Sequence, residues 1–294
     1  MAHGRKGIVC VGDLYGGTQE LLKNHCMALG IPVTFLFREE QNRLAHELGE
    51  PGKLVYFETP ANPNMAILDI RAIAETAHQH GALVAVDNTF ASPINQQPLE
   101  LGADLVLHSA SKYLGGHSDI TAGALMTSAE LAKPVAAWRK NLGQLIAPET
   151  AALLSRSLRT LPVRIRQHNE NAMAVAEAME QHPKITKVHY PGLPSFEGHD
   201  LAQQQMTGFG GMLSIEVEGG QAAAAKVADR LTIFLLATSL GGVESLVSQP
   251  SATSHHGLSH EERLKRGIGD GMLRLSVGLE DAQDLIADLN QALK

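Results

Sequence analysis

The first half of the chain alternates unbroken apolar runs with amphipathic segments. IVCVG (8–12), PVTFLF, KLVYFE, ALVAVD and ADLVLHS read as strands. GGTQELLKNHCMALG, EEQNRLAHELGE and DIRAIAETAHQHG carry helical spacing, the last opening at Asp69 and stopping at Gly81. Apolar strands without polar alternation, separated by helices, predict a mostly parallel sheet covered on both faces. Ligands of such sheets collect at the carboxyl ends of the strands. Asp13, Glu58, Asp87 and the Ser109–Lys112 group stand there. The pattern then changes. Glu149 to Gln181 is helical apart from a break near Pro162. KITKVHY, GGMLSIEV, TIFLLATSL and MLRLSVG follow as strands, QAAAAKVADRL and DAQDLIADLNQALK as helices, and TGFGG (207–211) as a turn. The expected organisation is a large α/β domain over 1–163 and a smaller C-terminal α/β domain over 164–294.

Composition narrows the class. The 294 residues carry a net charge of −7, which argues against nucleic acid as a partner, because phosphate neutralisation needs a basic face. The arginines between Arg156 and Arg166 read as a solvated helix flank. Two cysteines, Cys10 and Cys26, are too few for a disulfide scaffold, and neither sits in a CxxC pair that would hold zinc. No apolar run reaches the length of a bilayer span, and the patch in MAHGRKGIVCVGD is short for a signal peptide. The expected setting is the reduced cytoplasm, with no membrane partner. His255 and His256 are adjacent, so their side chains diverge, and no third metal ligand accompanies them. GxSxG does not occur, which leaves a nucleophile-elbow hydrolase without support.

The candidate chemistry begins with Lys112 in HSASKYLGGHSD (108–119). A lysine after a strand is ordinarily a solvated charge. Here Ser109 and Ser111 offer hydroxyls suited to a phosphate, and Gly115 and Gly116 would let the backbone approach a ligand. Asp87 ends an apolar strand and opens DNTF. It is either a turn former or a fixed carboxylate aimed at a protonated ring nitrogen. Thr89, in the same turn, joins the cofactor-contacting set. Tyr15, in DLYGGT, is a half-buried tyrosine or an aromatic plate for a planar cofactor, with a phenol able to move protons. Asn62 lies between two prolines in TPANPN, which suits a rigid turn and a positioned site amide equally. Arg274 interrupts the apolar strand MLRLSVG, where a planar anion such as a substrate carboxylate would justify it. Ser239 precedes a Gly-Gly turn and could hydrogen-bond a nearby amine.

An amine nucleophile, an acid for a ring nitrogen, a stacking aromatic, phosphate-seeking hydroxyls and a carboxylate-gripping arginine together make the kit for pyridoxal 5′-phosphate acting on an amino acid. The motifs LYGGT, ETPANP, VDNTF, GADLVLHSASKYLGGHSD, QMTGFGGMLSIEV, SLGGVESLVSQP and LRLSVGLED resemble those of the Cys/Met-metabolism (transsulfuration) family. That family has the aspartate-aminotransferase-like fold, fold type I of the pyridoxal-phosphate enzymes. The resemblance implies that Lys112 condenses with the cofactor aldehyde and Asp87 pairs with the ring nitrogen. It makes Tyr15 the stacking tyrosine and Ser109 and Ser111 the phosphate ligands. Asn62 would lie near the ring hydroxyl or the substrate, and Ser239 and Arg274 near the lysine amine and the substrate carboxylate.

YPGLPS, QMTGFGG and EERLKRGI point to the γ-synthase members: replacement of the γ-substituent of an activated homoserine ester by cysteine. The alternatives are a cystathionine γ- or β-lyase, a methionine γ-lyase, a non-catalytic fragment, or a subunit that assembles only with intact partners. Thr238 stands where many γ-synthases and γ-lyases carry Glu, which leaves the reaction open. Family members also carry a region ahead of LYGG that is absent from this sequence. It supplies a Tyr-x-Arg arm to a neighbouring subunit's phosphate, a Ser/Thr-Gly-Met turn and the first strand. A large domain lacking these is expected to bind the cofactor more weakly than a full-length relative and to show a frayed sheet edge. The resemblance implies a homo-oligomer, dimer or tetramer, acting on small amino acids.

Overall fold

Strands β1 (Ile8–Val11), β2 (Val33–Leu36), β3 (Leu54–Glu58), β4 (Leu83–Asp87), β5 (Leu105–Ser109) and β6 (Gly123–Thr127) form one sheet in the order β2-β1-β3-β4-β5-β6. The computed structural model describes residues 6–253 and 256–294. All pairs in this sheet are parallel except β5 with β6. The apolar runs are unbroken because both faces are covered. On one face Val9, Val11, Val55, Phe57, Val84, Val86 and Val106 share a buried cluster, while Ile8, Cys10, Tyr56 and Ala85 enter a second cluster on the other. The helix Ile70–Gln79 closes the first cluster with Ile70, Ile73, Ala74 and Ala77, which recur at helical spacing. Asp69 caps it by accepting the Ala72 amide at 2.9 Å, and the chain turns away at Gly81 with φ of 62°.

The second sheet contains β7 (Ile185–His189), β8 (Met212–Val217), β9 (Leu235–Leu236), β10 (Leu246–Ser248) and β11 (Met272–Ser276), in the order β7-β8-β11-β10-β9. It is antiparallel except for β9 with β10. The helices Pro148–Leu158 and Leu161–Glu180 meet at Thr160, so the break falls where Pro162 occupies the first turn of the second helix. A third apolar cluster joins Met65, Ala110 and Tyr113, from the first sheet's loops, to Ile165, Val175, Leu213 and Leu275.

Four segments depart from the sequence reading. TIFLLATSL is a strand only at Leu235–Leu236. The buried carboxylate of Asp288, in the helix Ala282–Ala292, takes the amide protons of Thr232, Ile233 and Phe234 at 2.8 to 3.1 Å, together with the Thr232 hydroxyl. Those donors are lost to any ladder. β6 and β10 were not anticipated, being half-exposed and very short respectively. The helix Ala129–Asn141 buries no side chain and contains Pro134, so it carries no core-facing stripe.

Burial alone would raise the Asp288 carboxyl, but the four donor groups win and hold it below the usual range. A group depressed on folding contributes stability above its unfolded pKa and loses it as pH falls through the folded value. Asp288→Ala should therefore lower stability by about 3 kcal/mol at neutral pH, with the deficit shrinking under acid conditions, as read by urea unfolding.

The arginine-rich stretch needs correction at one position. Arg164 is buried; it donates to the carbonyls of Tyr113 at 2.8 Å and Ser157 at 3.0 Å. Gly116 makes room for it, since a β-carbon there would meet Arg164 Nη1 at 2.0 Å. The same contact corrects the reading of the glycine pair. Gly116 serves the packing of Arg164, and a β-carbon on Gly115 would collide with the Ala110 carbonyl at 2.8 Å. Neither is an opening for a ligand.

Candidate active site

Asp87, the last residue of β4, is half-buried, and its carboxylate is well supplied with donors. Oδ1 accepts the Thr89 amide at 3.0 Å and the Thr89 hydroxyl at 2.5 Å, and Oδ2 accepts the Tyr56 phenol at 3.3 Å. Thr89 Oγ1 in turn accepts the Ser109 amide at 2.9 Å, which ties the end of β4 to the end of β5. Burial raises the Asp87 carboxyl and these donors oppose it. The Ser109 hydroxyl has no hydrogen-bond partner among the described residues. Ser111 Oγ accepts the Ala122 amide at 3.0 Å, while the same oxygen lies 3.4 Å from the Ala122 carbonyl, a weak contact that leaves the O–H free to turn.

Lys112 lies in the turn after β5. Its Nζ donates to Ser239 Oγ at 2.7 Å, across the gap between the two sheets. Ser239 has a backbone φ of 87°, a left-handed conformation that a non-glycine residue holds only when its surroundings enforce it. The enforcing contacts are visible. Gly241 packs against the Tyr113 backbone, where a β-carbon would meet Tyr113 N at 2.8 Å, and its amide donates to Ser276 Oγ. Arg274 Nη2 donates to the Ser239 carbonyl at 2.9 Å, and Nη1 donates to Asn62 Oδ1 at 2.8 Å. Nε of Arg274 is buried without a partner. Desolvation lowers the guanidinium to about 10, opposed by the phenols of Tyr113 and Tyr15. Desolvation, and then the Arg274 charge, also push the Lys112 amine below its ordinary value. The cluster thus combines a nucleophilic amine, an orphaned guanidinium edge and a fixed amide.

Tyr15 is 58% exposed, more open than the sequence reading held. Its ring leans over Gly17, where a β-carbon would meet it at 2.8 Å, so the missing side chain of Gly17 makes room for it. Its backbone amide donates to Glu58 Oε1 at 2.6 Å. The contacts of Tyr56 and Glu58 with this cluster escaped the sequence reading, although Glu58 was visible as a strand-end acid. Asp13 hydrogen-bonds to none of these residues and is ion-paired with Arg266 instead. A cavity of about 220 Å³ opens beside that pair, between Phe37, Asn64 and His189. None of Lys112, Asp87, Ser239 or Arg274 lines it. His255 lies outside the described residues.

The family model described as Cys/Met metabolism PLP-dependent enzyme matches residues 1–294. The chain belongs to this family. It is 43% identical over 288 residues to a cystathionine β-lyase of Lactococcus lactis subsp. cremoris (strain MG1363), covering 98% of this chain and 76% of the relative. An L-methionine γ-lyase of Pseudomonas deceptionensis is 44% identical over 290 residues, covering 98% and 73%. The crystal structure of cystathionine γ-synthase from Xanthomonas oryzae pv. oryzae in complex with cystathionine superposes with a TM-score of 0.93 at 44% identity, covering 98% of this chain and 75% of that one. The fold is type I, and the cofactor of the family is pyridoxal phosphate. The residues present fit it. The depressed amine of Lys112 suits an aldehyde, the donor-supported Asp87 suits a ring nitrogen, and the unpartnered Ser109 hydroxyl suits a phosphate oxygen.

Proposed function

We propose that the chain catalyses γ-replacement, joining cysteine to the γ-carbon of an activated homoserine ester to give cystathionine. One observation carries the reading: the Lys112 amine rests on Ser239 while Arg274, bound to the same residue's carbonyl, keeps a buried donor edge unpaired. An amine and a carboxylate-gripping cation held together define an α-amino acid site.

Asp87 would keep a proton on the ring nitrogen of bound pyridoxal phosphate, and Tyr15 would offer its ring as a stacking face. Ser109 and Ser111 would take phosphate oxygens, with Thr89 bracing Asp87. Arg274 and Asn62 orient the substrate carboxylate. Lys112, steered by Ser239, would move the proton at the α-carbon. The bound cofactor supplies a sink for the charge that this leaves. Loss of a β-proton would then let the γ-substituent leave with its bonding pair; the cysteine thiol, giving up its own proton, would add at the γ-carbon, and protons would return to the β- and α-carbons. The exposed Tyr15 phenol is placed to move a proton.

Supplying an activated homoserine ester should yield cystathionine only when cysteine is present, as read by mass spectrometry. A second reading, a lyase, draws support from relatives of equal identity named cystathionine β-lyase and L-methionine γ-lyase. It predicts an oxo acid released from cystathionine or methionine alone. We place the working enzyme in the cytoplasm as an assembly of copies. The exposed apolar side chains of Trp138, Leu142, Leu145 and Val163 support such an assembly. Among the described residues no helix is long and apolar enough to cross a membrane.

A further inference from the structure

We propose that Glu58 is a positioning residue of the cofactor site, tying the backbone of Tyr15 to the Asp87 carboxyl through the β3–β4 register. The inference rests on the reading of Asp87 as the ring-nitrogen partner. Glu58 is 5% exposed and ends β3 directly opposite Asp87, which ends β4. Paired positions on neighbouring parallel strands lie about 5 Å apart and point to the same face. The two carboxyls therefore stand side by side.

Their supporting contacts are unequal. Asp87 takes two donors from Thr89 and one from Tyr56. Glu58 takes a single donor, the Tyr15 amide at 2.6 Å, and no cation hydrogen-bonds to it among the described residues. The groups facing it are Asp87 from β4, Asp13 beyond β1 with its partner Arg266, and Tyr56 on its own strand. Two adjacent carboxylates cannot both stay charged cheaply away from water. Burial raises both carboxyls; at Glu58 burial and then the Asp87 charge raise it well above its usual value of 4.5, against the pull of the Tyr15 amide, while Asp87 has more donors to oppose the rise. The proposal therefore gives the shared proton to Glu58, whose oxygen anchors the turn carrying the Tyr15 ring, and the negative charge to Asp87.

A carboxyl raised on folding opposes folding as pH climbs above its unfolded value, until the folded value is passed. Glutamine keeps the acceptor for the Tyr15 amide and has no proton to lose. The experiment compares urea midpoints of the cofactor-free chain and its Glu58→Gln variant between about pH 5 and about pH 8. The variant should gain on the parent as pH rises. Parallel midpoints across that range would overturn the proposal, since a side chain that only fills space has no pH-dependent difference.

A second arm titrates pyridoxal phosphate by visible absorbance. Glu58→Gln should bind within about threefold of the parent, and Glu58→Ala about tenfold more weakly. Glu58→Ala with parental affinity overturns the proposal. If that variant does not fold, the Gln comparison decides alone. Failure of the cofactor-site reading would show separately, as borohydride fixing the cofactor at a lysine other than Lys112.

Discussion

Lys112→Ala abolishes the cofactor adduct that borohydride fixes in the parent chain and lowers turnover by about 10³-fold or more. The expectation has two parts, because the lysine does two things. In the proposed site its amine is the point of covalent attachment, so the variant should bind pyridoxal phosphate without a reducible bond, and the digest should contain no pyridoxylated peptide spanning 108–119. The proposal also has this amine move the substrate's α-proton, so supplying the cofactor in excess should not restore the rate. Ser239→Ala should be milder, about tenfold, because it removes only the 2.7 Å hydrogen bond that aims Nζ. The pH dependence follows from the environment. Desolvation and the Arg274 charge lower the Lys112 pKa from 10.5, so the neutral, nucleophilic amine is populated at a lower pH than an exposed lysine allows. Cofactor uptake should accordingly rise with pH and level off below the range of an ordinary lysine. Stopped-flow absorbance of the cofactor-free chain reads this directly. Parental trapping in the Lys112 variant would move the site elsewhere.

The sequence was most informative where burial is two-sided. Apolar runs such as IVCV and LVAVD name their strands because each successive residue enters a core, first on one face and then on the other. The acids that end β3 and β4 stand out against those runs for the same reason. Long-range hydrogen bonding was less legible. The reduction of TIFLLATSL to a two-residue strand depends on Asp288, far along the chain in a helix whose pattern marks it only as polar. The purpose of Gly116 depends on Arg164, which local spacing places on a solvated flank. The Tyr56 phenol on Asp87 and the Tyr15 amide on Glu58 follow from the alignment of three parallel strands, a register that no local motif encodes. The candidate site residues and the chemistry proposed for each were readable one by one, and the resemblance joined them into one site. The geometry adds how two sheets hold them: Lys112 and Asp87 on the first, Arg274 on the second, Ser239 and Asn62 bridging between.

Arg274→Lys raises the KM for the amino-acid substrate by about 10²-fold while changing kcat far less. Arg274 already donates to Asn62 and to the Ser239 carbonyl, and still keeps Nε free inside the protein. A planar guanidinium can serve both anchors and offer an edge to a carboxylate, because its donors fan out in fixed directions. A lysine ammonium is a compact charge on a flexible stem. It can satisfy an anchor or the ligand, but not all three in the same plane. The charge survives in this variant, so the change tests geometry rather than net electrostatics. Arg274→Ala would be a poorer probe, since it strands Asn62 Oδ1 and the Ser239 carbonyl in the interior and weakens the left-handed turn at Ser239. The discriminating control is an amine analogue of the substrate with no carboxylate. It should bind the parent and Arg274→Lys equally, because the only group that Arg274 is placed to grip is missing from it. Equal weakening of both ligands would instead mark Arg274 as a strut between the sheets, with the carboxylate held by some other donor.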